Sequence, residues 1–77
     1  MSAPLRAAEG LPEGHEWMVI RCTERPRQAS IAHIISVGTE VGLCGRQPWK
    51  KSMYVEVIYR HPDKQCLVCA EKARSLM

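Results

Sequence analysis

The chain has 77 residues, four of them cysteine, with two Trp, two Tyr and no Phe. At that length one domain with a thin core is the only option, and such domains usually need a metal or disulfides as a brace. The 11 Lys and Arg exceed the 8 Asp and Glu by three, too small an excess to announce nucleic acid by itself, and no window is apolar over the length of a membrane span.

Residues 1–14 are expected to be a flexible tail, because Pro4, Gly10, Pro12 and Gly14 interrupt every periodic pattern. They also lack the apolar run of a secretory signal, so a cytoplasmic location with reduced thiols is expected. Residues 15–77 form a single domain. The stretch 15–22 alternates as a strand, with Met18, Ile20 and Cys22 on one side and Trp17, Val19 and Arg21 on the other. Both sides are partly apolar, so cover on both is expected. A polar turn follows, in which Pro26 stops the ladder. Residues 30–37 read as a second strand, with Ile31, His33, Ile35 and Val37 sharing a face. After Cys44-Gly45 comes a basic loop, 46–52, that carries Trp49. Residues 53–59 give the clearest strand, Met53, Val55, Val57 and Tyr59 alternating with Tyr54, Glu56 and Ile58. From Cys66 the period becomes helical, and Cys66, Cys69, Ala70, Ala73, Leu76 and Met77 fall on one face of a helix predicted over 67–76. The expected class is α+β: a small three-stranded antiparallel sheet with a C-terminal helix, stapled by zinc in the manner of a zinc ribbon or finger.

The staple is read from spacing. His33-x10-Cys44-Gly45-x20-Cys66-x-x-Cys69 supplies three thiolates and one imidazole, a ligand set that suits tetrahedral zinc. The Cys-x-x-Cys pair places two ligands on one helical turn, beside the positive end of the helix dipole. Gly45 lets the chain curl so that backbone N–H groups approach the Cys44 thiolate. Cys22 and His61 compete with His33 for the fourth position. Cys22 lies with Met18 and Ile20, where an ordinary buried thiol is expected.

The order His33, Cys44-Gly45, Trp49 and a C-terminal Cys66-x-x-Cys69 helix resembles a group of small zinc-binding proteins of actinobacteria and their phages, over residues 30–77. The resemblance implies His33, Cys44, Cys66 and Cys69 as the ligands. Cys66-Leu67-Val68-Cys69 lacks a Pro found in that group, and Cys22 is an extra thiol.

No catalytic constellation is present. A thioredoxin-type motif would follow an apolar strand in a βαβ unit, and a zinc deaminase would need His-x-Glu with Pro-Cys-x-x-Cys. A catalytic zinc also keeps one position open, against four good ligands here. A non-enzymatic module remains. The favoured partner is a protein, for an adaptor or regulator, because Trp17 and the second sheet face offer apolar surface, which would equally serve a homodimer. The alternative is nucleic acid, bound through Arg46, Trp49, Lys50 and Lys51 with phosphate contacts from Arg25, Arg27, Arg60 and Lys64. Charge is uneven in that direction: residues 25–64 hold seven Lys or Arg and three acids, whereas residues 1–24 hold two Arg and four Glu.

Overall fold

The computed structural model describes residues 3–25 and 30–77. Strand β1 (His15–Cys22) is central, flanked by β2 (His33–Ser36) and β3 (Met53–Ile58) in the order β2-β1-β3, both pairings antiparallel. Helix α1 (Leu67–Leu76) follows the sheet, so the class is α+β.

Register decides the faces. Trp17 lies opposite Ile34 and Ile58, and Met18 lies opposite His33 and Val57. Directly paired residues point to the same side of a sheet. Trp17, Val19, Ala32 and Ile34 therefore make one floor, and α1 packs on it through Cys69, Ala70 and Ala73. The two alanines allow the helix backbone to approach closely, and all three helix residues are 0 % exposed. On the opposite face Met18 and Ile35 are also buried, under the turn that carries Gly42. The central strand is thus covered on both sides.

Several expectations are corrected. The principal core face of β2 is Ala32 and Ile34; of the alternating set that includes His33, Ile31 and Val37 are exposed and only Ile35 is buried. The strand is also shorter than 30–37, and Ala32 instead bridges to Gln65 in parallel. Leu76 and Met77 are exposed rather than facing the core. The end of the sheet–helix groove is taken by Leu5, which is 2 % exposed. Residues 3–9 therefore lie packed on the domain. The Gln65 side chain accepts from the Leu5 amide at 2.7 Å and donates to the Leu5 carbonyl at 2.8 Å. Arg74 donates to the carbonyls of Ala3 and Pro4 and pairs with Glu9 at 3.4 Å. Trp17 is buried too, edge-on to His61 at 5.9 Å, and offers no partner surface. Tyr59 lies just past β3 and is exposed. Pro26 and Arg27 lie outside the described residues.

Candidate metal centre

The site is assembled along the outer edge of β2. An edge strand leaves alternate N–H and C=O groups unpaired, and here two chain segments take them. The Leu43 amide donates to the Ile34 carbonyl at 2.8 Å, and the Cys66 amide donates to the Ala32 carbonyl at 2.8 Å. The Ala32 amide donates in turn to the Lys64 carbonyl at 3.0 Å. The residues leading into Cys44 and into Cys66 are therefore docked on the strand that carries His33.

Each segment then turns its cysteine inward. The 42–46 turn closes with Gly45 N–H to the Gly42 carbonyl and Gly42 N–H to the Arg46 carbonyl, both 2.8 Å. Gly45 has φ +90°, a left-handed conformation that residues with a Cβ resist. Cys66 is the extended residue before the helix (φ −71°, ψ 115°), and its carbonyl accepts the Ala70 amide at 3.0 Å. Cys69 comes one turn later, on the buried face.

The potential ligand atoms of His33, Cys44, Cys66 and Cys69 all lie within 4.8 Å of one another, the only such cluster among the described residues. His33 presents Nδ1, at 3.3 Å from Cys44 Sγ and 3.7 Å from Cys69 Sγ. A tetrahedral zinc with ordinary Zn–S and Zn–N bonds sets that separation at about 3.5 Å, so the arrangement fits. The two competitors lie elsewhere. Cys22 Sγ faces Ser52 Oγ at 3.6 Å, and His61 meets Gln65 at 3.2 Å as well as Trp17.

Electrostatics favour a cation. Burial, helped by the Arg46 charge, holds His33 below its ordinary pKa, so the imidazole is neutral and ready to donate a lone pair. Burial pushes Cys69 up to about 12, against the backbone of Ile34. Burial also raises Cys66, but bonds from the Cys69 backbone, the Cys44 and Cys69 side chains and the Val68 backbone outweigh it, and its pKa is lowered. Three sulfurs in one small space, one of them fully buried, hold their charge together only with a positive ion among them.

The residues expected to meet a partner lie on the far side of the Cys44 turn. Arg46, Trp49, Lys50 and Lys51 are all exposed, Trp49 by 67 %. Lys50 Nζ sits 4.8 Å from the centre of the Trp49 ring. The tie between Leu5 and Gln65, next to Cys66, left no signal in the sequence, since an isolated Leu among Pro and Gly has no period. No helix among the described residues is long and apolar enough to cross a membrane. Comparisons with protein-family models, curated proteins and solved structures find no match to this chain.

Proposed function

We propose that this chain is a non-catalytic zinc module that binds nucleic acid through the loop 46–51. Zinc is the metal best suited to three thiolates and one imidazole in a tetrahedron, and four protein ligands leave it no open position for substrate. Its work here is structural, tying β2, the Cys44 turn and α1 together. The observation that carries the binding role is Trp49, exposed and flanked by Arg46, Lys50 and Lys51, none of which makes an ion pair among the described residues. An aromatic on a basic loop suits bases and phosphates together. The surface that favoured a protein is reduced, because Trp17, Met18 and Ile35 are buried, while Ile20, Val55 and Val57 are half-buried.

The test is titration of metal-loaded protein with oligonucleotides over a range of salt. Three phosphate contacts on a single strand predict a slope of log affinity on log salt of about −2. A protein adaptor is the second reading, favoured by Val37, Val41, Leu67 and Val68, all exposed close in sequence to the ligands. Salt-independent binding of a protein partner, with no oligonucleotide bound, would establish it instead.

A further inference from the structure

Between the end of β1 and the loop 46–51 lies a cleft of about 340 Å³. Its lining includes the apolar side chains of Ile20, Ile31 and Met53 and the indole of Trp49. Among the described residues three arginines line it, Arg21, Arg25 and Arg46, and no Asp or Glu does. Glu56 engages Arg21 at 3.0 Å. Arg25 and Arg46 have no side-chain partner among the described residues. Two uncompensated guanidiniums therefore face a concave site with an indole at its side.

The geometry points to a binding site for one unpaired nucleotide of a single strand, its base stacked on Trp49 and its flanking phosphates on Arg25 and Arg46. This rests on the nucleic-acid reading above and narrows it. The volume is at the small end of ligand pockets, which span roughly 300–1,000 Å³, so it takes a single nucleotide unit. A duplex keeps its base faces stacked inside and presents only phosphates to such a surface. An acidic peptide would use the arginines but leave the indole and the apolar lining without a counterpart. Lys50 Nζ lies over one face of the indole, 4.8 Å from its centre, so the base stacks on the other face and the ammonium adds charge attraction for the strand.

The experiment uses the full metal-loaded chain and a twelve-nucleotide oligothymidylate, followed by tryptophan fluorescence. Trp17 is buried and Trp49 is exposed, so quenching reports on Trp49. The same protein is titrated with a duplex of equal length and with polyglutamate. The expected results are quenching by the single strand, affinity on the order of 10- to 100-fold lower for Trp49→Ala, read by anisotropy of an end-labelled oligonucleotide because that variant lacks the reporting indole, and a salt slope reduced by about 0.7 for Arg25→Gln. Arg25 lies outside the loop, so it separates the cleft from the loop alone. Single-strand binding that Trp49→Ala and Arg25→Gln leave unchanged would overturn the cleft while the broader reading stood. Equal affinity for duplex or polyglutamate would overturn it too. No binding of any oligonucleotide at low salt would overturn both. Metal content and circular dichroism of each variant guard against loss of fold, and quenching of the unaltered protein tests stacking without any substitution.

Discussion

Removing the metal should unfold the domain. Apart from the ligands, the three pieces that meet at the site are joined by a few backbone hydrogen bonds and a thin apolar contact: α1 rests on the sheet through Cys69, Ala70 and Ala73, two of them alanines. Among the described residues the largest fully buried side chains are Leu5, Met18, Ile34 and Cys69. A domain of 77 residues has a net stability of about 4–12 kcal/mol at typical values per residue. A structural zinc contributes about 10–16 kcal/mol at neutral pH. Subtracting the second from the first leaves nothing over most of that range. Chelation is therefore expected to abolish the α1 signal in circular dichroism and to shift Trp17 emission to the red as that ring leaves its contact with His61. Cys69→Ser should do the same without a chelator. Cys22→Ser is the control: its thiol faces Ser52 outside the cluster, so the metal should stay bound, with about 1–2 kcal/mol lost. A metal-free chain that still melts cooperatively would refute the reasoning.

Stability should also depend on pH in a definite sense. Burial and the Arg46 charge hold His33 below 6.5, so the unfolded chain takes up its proton first as pH falls. Stability is whole above about pH 6.5 and is lost below it, by up to about 1.4 kcal/mol per unit for that proton, and metal on Nδ1 acts in the same direction; a melting temperature flat from pH 7.5 to 5 would contradict this. Leu5→Ala should cost about 2–4 kcal/mol in denaturant unfolding, because Leu5 is 2 % exposed and belongs to the core cluster; a cost within error would place residues 3–9 outside the cooperative unit. Gly45→Ala should cost about 1–2 kcal/mol through its φ of +90°, with free space for the added methyl, so weakened metal retention without a packing defect is the expected signature in competition with a chelator.

What could be read from the sequence was set by how strongly each residue type signals. The four potential ligands carry distinctive chemistry at distinctive spacing, and the structure gathers those four. The strand at Met53–Ile58 and the helix at Leu67–Leu76 are long and periodic, and both were legible. The face of β2 was not, because the run Ile31-Ala32-His33-Ile34-Ile35 is apolar in both phases. Alanine hides its burial: Ala32 looks neutral in sequence, yet its small side chain is what fits beneath α1. Trp17 was misjudged for a related reason. Both sides of β1 carry apolar residues, and sequence alone does not say which side a distant segment will cover. Leu5 depends on Gln65 and Arg74, sixty and more residues away, and no local pattern announces such a contact.

The docking of Leu43 and Cys66 onto β2 also bears on aggregation. While the site is intact, the Ile34 and Ala32 carbonyls are occupied from within the chain, so this edge of the sheet cannot template another strand. Releasing the ligands frees a short edge containing Ile34-Ile35, low in charge and β-branched, the kind of segment that adds strands from neighbouring molecules. The metal then acts as a guard against self-association as well as a brace. Chelation should raise light scattering in proportion to protein concentration, and Val37→Lys, which puts a charge at an exposed position just past Ile34-Ile35, should suppress the rise.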